Sequence, residues 1–160
     1  MKLANLVCLF VFVSAFVHSG SSSCQNGWYL YGNSCYYIST DTFRNWNGAL
    51  LNCILKNSRL VCIQSSGEYQ FITNRLREIE STHGQPSDVN FRAWLGTTYL
   101  PDRQSLYCNG LPQSSLNYFN WAHGHPRFSS KSCVLLNYNY QYVDTTCSIT
   151  TRFICERPAN

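Results

Sequence analysis

The segment from Trp121 to Cys133, WAHGHPRFSSKSC, gathers side chains that could bind a ligand. It carries two imidazoles, a guanidinium and an ammonium, on His123, His125, Arg127 and Lys131. Guanidinium and ammonium groups suit carboxylate, sulfate or phosphate partners. The pattern predicts an exposed loop that binds anionic groups.

Metal chemistry and catalysis have less support in this chain. His123-x-His125 could bind a transition metal only with further ligands, which the sequence does not offer at ligand spacing. Two exposed loop histidines are therefore the preferred interpretation. Serine, histidine and aspartate occur, but without a Gly-x-Ser-x-Gly turn or an activated cysteine setting. We expect that the protein is not an enzyme.

The first residues resemble a secretory signal, and the cysteines agree with export. One lysine precedes an apolar run over 6–17, and Val17 and Ser19 suit the −3 and −1 positions of a cleavage site. The run is shorter than a membrane span, which needs ~20 residues. Residues 1–19 are predicted to be removed, leaving eight cysteines that favour disulfides in an oxidising compartment. We expect a secreted, extracellular protein. The residues alone do not determine which cysteines pair with each other.

Charge and hydropathy exclude some partners. The net charge is +4, but the basic residues are scattered and form no run. Binding to nucleic acid or to an anionic membrane therefore has weak support from the sequence. No second long apolar run follows the first, so no membrane span is expected.

The elements that must hold the loop alternate between strand and helix patterns. A hairpin is predicted near the start and a helix follows, capped by Asp41 or Thr42. Ser65-x-x-Glu68 is a capping box that predicts a second helix. The buried face of that helix is predicted from apolar residues that recur every three or four positions: Tyr69, Ile72, Leu76 and Ile79. FRAWLGTTYL over 91–100 is typical of a buried strand, and 101–132 of a long irregular region.

The last part of the chain predicts closing strands. In the first of them Tyr138, Tyr140 and Tyr142 alternate with polar residues, which predicts a tyrosine ladder on one face. The ladder could stack on sugar rings or simply pack across strands, and packing is preferred. The element order indicates an α+β fold with an antiparallel sheet.

Six segments in order make the chain from Cys24 to Glu156 resemble the C-type lectin-like domain. They are CQNGWYLYGNSCYY, WNGALLNC, RLVCIQSSGEYQFI, WLGT, CVLLNYNYQYVDTTC and FICER. The resemblance implies one domain over 24–156, with two helices, two small antiparallel sheets and a long loop region. It also implies the disulfides Cys24–Cys35, Cys53–Cys155 and Cys133–Cys147. Cys62 and Cys108 remain and are assigned to each other, with two free thiols as the alternative.

Sugar-binding relatives in this family hold calcium in the long loop, and the resemblance maps that site onto named residues here. Calcium needs 6–8 oxygen ligands, several of them carboxylates. The ligand triplet around the shaping proline corresponds to His125, Pro126 and Arg127, and the later triplet to Tyr142-Val143-Asp144. Only Asp144 retains a suitable side chain, beside cationic neighbours. We expect a degenerate calcium site and no cofactor, with Asp144 paired to a cation or bonded to loop backbone.

The resemblance implies a secreted recognition module. We expect it to bind a glycan, a glycoprotein or another protein surface without calcium, with an anionic ligand favoured. The candidate contact residues are His123, His125, Arg127, Lys131, Tyr142 and Asp144. The alternative is a structural or protein-interaction component, of matrix or venom type, with no sugar ligand. The oligomeric state is left open.

Overall fold

The computed structural model describes residues 22–84, 91–112, 118–127 and 132–160. The predicted signal over 1–19 lies outside these residues. These described ranges contain two α-helices, one 3₁₀ turn at Pro101–Arg103 and nine strands. The helices are α1 (Trp46–Leu55) and α2 (Ser66–His83). The strands are β1 (Tyr29–Tyr31), β2 (Ser34–Ile38), β3 (Arg59–Leu60), β4 (Phe91–Leu100), β5 (Ser105–Cys108), β6 (Leu111–Pro112), β7 (Ser132–Asn137), β8 (Tyr142–Thr145) and β9 (Arg152–Pro158).

The strands form a mainly antiparallel sheet in the order β1-β2-β9-β4-β5-β6, with β3 on β9, β7 on β4 and β8 on β7. One pairing is parallel: β4 meets β9 through Ala93–Arg152 and Trp94–Phe153. This pairing joins the terminal strands to the strands that carry the loop region. The predicted α+β class is confirmed. The prediction of a purely antiparallel sheet missed the parallel pairing of β4 with β9.

Two apolar clusters fill the interior, one on each side of the sheet. One contains Ile72, Leu76 and Ile79 of α2, which confirms the predicted buried face of that helix. The other contains Ala49 and Cys53 of α1 with Trp94 of β4. The two helices therefore pack on opposite faces of the sheet.

The first helix begins later than the sequence predicts. Asn45, not Asp41 or Thr42, is the N-cap, and its Oδ1 accepts the Gly48 N–H at 2.9 Å. Gly48 has a reason to lack a side chain, since an added Cβ would lie 3.1 Å from that same Oδ1. The cap and the glycine therefore form one unit.

The capping box of α2 is present in an extended form. The Ser65 hydroxyl accepts the Glu68 N–H at 3.2 Å. The Glu68 carboxylate reaches back one residue further than usual, to the Gln64 N–H at 2.7 Å, and also accepts the Tyr36 hydroxyl at 2.9 Å. One buried carboxylate thus ties the helix start to strand β2.

Four disulfides staple the fold: Cys24–Cys35, Cys53–Cys155, Cys62–Cys108 and Cys133–Cys147. Three of these pairs are those that the resemblance implies, and Cys62–Cys108 confirms the assignment of the two remaining cysteines to each other. The Cys62–Cys108 bridge crosses beside Gly96, where an added Cβ would lie 2.8 Å from the Leu60 carbonyl and 3.0 Å from the Cys108 sulfur. The glycine of the WLGT segment therefore leaves room for this bridge.

The region over 101–132 is not uniformly irregular. Strands β5 and β6 form a hairpin on the edge of β4, with Asn109 and Gly110 at its turn in positive-φ conformations. The predicted tyrosine ladder is wrong, because Tyr138 and Tyr140 lie in the turn between β7 and β8 rather than on a strand. Tyr138 is exposed, whereas Tyr142 at the start of β8 is buried.

Candidate functional site

The segment over 118–127 is held against strand β8 by backbone hydrogen bonds. The Ala122 N–H donates to the Tyr142 carbonyl at 2.9 Å, and the Tyr142 N–H donates to the Asn120 carbonyl at 2.8 Å. Phe119 and Trp121 pack their rings against Tyr142 at centroid distances of 5.9 and 5.8 Å. This half of the long loop is therefore part of the folded body.

A tight turn then projects the candidate residues outward. The His125 N–H donates to the Ala122 carbonyl at 3.0 Å, closing a turn over His123 and Gly124. Gly124 has a φ of 77°, a conformation that glycine adopts without steric cost. The His125–Pro126 peptide bond is cis. His123, within this turn, and Arg127, two residues after it, are both exposed.

Asp144 on β8 anchors the turn from beneath. One carboxylate oxygen accepts the His125 Nδ1–H at 2.6 Å, and both oxygens accept the Arg127 backbone N–H, at 2.9 and 3.0 Å. The side chain of Asp144 is 3% exposed and that of His125 is 13% exposed. The imidazole donates through Nδ1 because a carboxylate only accepts, which leaves Nε2 as its remaining polar atom.

The structure places three of the predicted ligand-contact residues in one turn region and buries a fourth. His123 and Arg127 are exposed, and His125 is half-buried beside them. Tyr142 is 2% exposed and burial raises the pKa of its phenol above the ordinary value, so the prediction that it contacts a ligand is wrong. Its ring is part of the core because β8 turns that face inward. Lys131 lies outside the described residues.

Asp144 also takes a different part from that of a ligand contact. Its carboxylate is buried and its hydrogen bonds run to the loop, so it positions the turn rather than facing solvent. The expected bond to loop backbone is present through the Arg127 N–H. The His125 partnership was missed because 19 residues separate the two. Their placement in the same ligand set of the related lectins was the available signal.

The residues at the corresponding calcium position do not fit the ion. Calcium needs 6–8 oxygens, and the positions here supply imidazole at His125, guanidinium at Arg127 and an aliphatic group at Val143. The carboxylate of Asp144 already accepts hydrogen bonds from His125 and Arg127. Over the described ranges, no three His, Cys, Asp or Glu side chains come together as a metal-binding group.

Within the described residues, no helix is both long enough and apolar enough to cross a membrane.

Comparison with known proteins places this geometry in a family. The family model described as Lectin C-type domain matches residues 42–157. Asialoglycoprotein receptor 2 of Mus musculus is 27% identical over 167 residues, covering 100% of this chain and 50% of that protein. The chain thus spans about half the length of that relative.

Solved structures give the same result. The mouse scavenger receptor C-type lectin carbohydrate-recognition domain is 29% identical, with a TM-score of 0.68, covering 86% of this chain and 98% of that one. The cow CD23 carbohydrate-recognition domain, solved in the presence of a GlcNAc2Man3 oligosaccharide, is 25% identical with a TM-score of 0.70. The match covers 88% of this chain and 99% of the CD23 domain. The chain therefore belongs to the C-type lectin domain family.

Proposed function

We propose that this protein is a secreted, non-catalytic recognition module that binds an anionic glycan or glycoconjugate without calcium. The observation that carries the proposal is the closed arrangement around Asp144. Its carboxylate is bonded to His125 and to the Arg127 backbone, which leaves the Arg127 guanidinium outside. Related lectins hold a calcium ion at this position. This protein instead presents a cationic side chain of its own, that of Arg127.

The chemistry of the exposed face selects the ligand class. Arg127 offers a planar set of N–H donors that matches a carboxylate or sulfate with two parallel bonds. His123 lies exposed on the same turn and adds a donor or an acceptor. Lys131 follows four residues after Arg127 and is proposed to add a further cation. Neutral sugars offer no charge to these groups, so sulfated or sialylated glycans are favoured.

The similar proteins support the glycan class without defining the sugar. One is titled a carbohydrate-recognition domain, and another was solved in the presence of an oligosaccharide. Secretion is supported by the predicted signal and by the four disulfides, which form in oxidising compartments. N-terminal sequencing of protein released from eukaryotic cells should begin after residue 19.

The test is a glycan array read in calcium and in EGTA. We expect binding to sulfated or sialylated glycans that is equal in the two buffers. Arg127→Gln should weaken binding roughly tenfold or more, since a hydrogen bond between charged groups contributes about 1.5–3 kcal/mol. Arg75→Gln is the matched control, because Arg75 lies on α2 and pairs with Glu78. It should leave binding unchanged.

Two results would contradict the proposal. Loss of glycan binding in EGTA, or a melting temperature several degrees higher in calcium, would show a functional calcium site. An array blank in both buffers, with capture of a defined protein ligand, would favour a protein-interaction component instead.

A further inference from the structure

Helix α1 exposes apolar side chains on the side that faces away from the core. Ala49 and Cys53 are fully buried, as expected for the inner face. On the outer face Leu51 and Ile54 are each 55% exposed and Leu55 is 74% exposed. A surface helix usually carries polar residues there. This helix is therefore apolar on both sides, and its outer face has no partner among the described residues.

The β5–β6 hairpin extends the same surface. Leu111, just beyond the hairpin turn, is 69% exposed. We name Leu51, Ile54, Leu55 and Leu111 the aliphatic surface. Between the helix and the hairpin turn runs a groove of about 450 Å³, lined by Trp46, Leu50, Ile54, Arg59, Asn109 and Gly110.

The hairpin side of the groove is fixed in place. The Cys62–Cys108 disulfide ties the end of β5 to the chain after β3. The Asn109 side-chain amide donates to the Leu60 carbonyl at 2.9 Å. Because a covalent bond and a hydrogen bond hold this turn, the aliphatic surface is present before any partner arrives.

The charges around the aliphatic surface are positive. Lys56 caps the C-terminus of α1, with its ammonium 4.6 Å from the ring centre of Tyr37. The Arg59 side chain is 52% exposed, and its guanidinium lies 3.5 Å from the Glu156 carboxylate, so this cation is already paired. Arg157 lines the same neighbouring cavity of about 290 Å³, and its guanidinium lies 4.4 Å from the ring centre of Trp28. The acid in that cavity, Glu156, is buried. The segments over 46–60 and 105–112 contain no Asp or Glu.

We propose that the aliphatic surface docks on an anionic phospholipid bilayer. Leucine and isoleucine side chains that stand out from the protein can enter the acyl boundary, while Lys56 and Arg157 meet the headgroups. None of these residues belongs to the loop around Asp144, so docking leaves the proposed glycan site outside the contact. Lys56 and Arg157 are far apart in the sequence, and the fold brings Arg157 to the cavity that Arg59 also lines.

The composition of the surface favours lipid over a protein. Protein interfaces are enriched in Tyr, Trp and Arg, and leucine is under-represented among the residues that dominate their affinity. The exposed side chains here are leucine and isoleucine, which need no matching shape in a bilayer. A second copy is disfavoured, because a twofold contact over this surface would bring Lys56 close to the same cation of the partner.

The test is co-sedimentation of the disulfide-bonded protein with vesicles of phosphatidylcholine, alone or with one quarter phosphatidylserine, in EGTA. We expect at least fivefold more protein to pellet with the anionic vesicles, and less at high salt. The double variant Ile54→Glu/Leu55→Glu should lose this binding. Lys56→Gln should reduce it at least twofold on anionic vesicles. Tyr138→Ser, which removes an exposed aromatic from the β7–β8 turn, is the matched control and should bind as the wild type does.

Each of the following results overturns the proposal. Wild type that stays in the supernatant with both vesicle types, or a double variant that still pellets, excludes lipid docking by this surface. If the wild type is a dimer in solution and the double variant a monomer, with no pelleting, the surface is an interface between copies. Far-ultraviolet circular dichroism confirms that each variant is folded, since all the substituted side chains are at least partly exposed.

Discussion

Buried carboxylates in this protein act as structural ties. Asp144 joins β8 to the turn over 122–127, and Glu68 joins the start of α2 to strand β2 through Gln64 and Tyr36. Both are at least nine-tenths buried and have several hydrogen-bond donors, which offset part of the cost of burying a charge. Their surroundings, rather than their residue type, decide whether they could bind a ligand.

Glu68 makes stability depend on pH. Burial raises the pKa of its carboxyl above the usual value, while the Gln64 N–H and the Tyr36 hydroxyl oppose that shift. The stabilising effect of the protonated form is therefore full below the unfolded pKa and is lost as pH rises through the folded pKa. We predict that the stability of Glu68→Gln relative to wild type increases as pH rises from 4 to 7.

Urea unfolding at each pH measures that difference. Glu78→Gln serves as the control, since Glu78 is exposed and pairs with Arg75 on the surface of α2. A stability difference between wild type and Glu68→Gln that is constant with pH would show that the Glu68 pKa is not raised in the folded protein.

The helices show which local features the sequence can reveal. The buried face and the Ser65 cap of α2 follow from spacing alone, and both are present. The start of α1 was misplaced because Asp41, Thr42 and Asn45 are all good caps, and only the course of the chain chooses between them. The Arg44–Thr151 bridge and the bond from the Trp46 N–H to the Cys147 carbonyl fix that course.

The cap gives a direct comparison. Asn45→Ala should lower the free energy of unfolding by about 1 kcal/mol, because the Gly48 N–H loses its acceptor. Thr42→Ala, at one of the two positions that the sequence predicts as the cap, should stay within about 0.5 kcal/mol of wild type. Chemical denaturation of the two variants side by side measures both values. The reverse order of losses would place the helix start at Thr42.

At the scale of the whole molecule, long-range closures hold the fold together. The parallel contact of β4 with β9 and the Cys62–Cys108 bridge each join parts distant in sequence. The family resemblance anticipated the fold, its two helices and three of its disulfides from six ordered segments. It could not anticipate which side of β8 faces the core, so Tyr142 was misassigned. It also could not show that α1 is apolar outside, since spacing does not reveal an unpartnered face.

The disulfides should differ in what they contribute. In the chain-entropy description, a bridge that closes a longer loop stabilises more, with typical values of about 2–4 kcal/mol. Cys62 and Cys108 are 46 residues apart, and Cys24 and Cys35 are 11 apart. We predict that Cys62→Ala/Cys108→Ala lowers stability more than Cys24→Ala/Cys35→Ala, measured by guanidinium unfolding. An equal or smaller loss for the longer loop would contradict this.

The contact between His125 and Asp144 also bears on how this protein can change in evolution. Replacing His125 by glutamate, as a first step towards a metal ligand set, would put a second carboxylate where an imidazole now donates at 2.6 Å. The two like charges would repel each other until further ligands appeared. Restoring an acidic calcium ligand at His125 alone would therefore give a less stable loop.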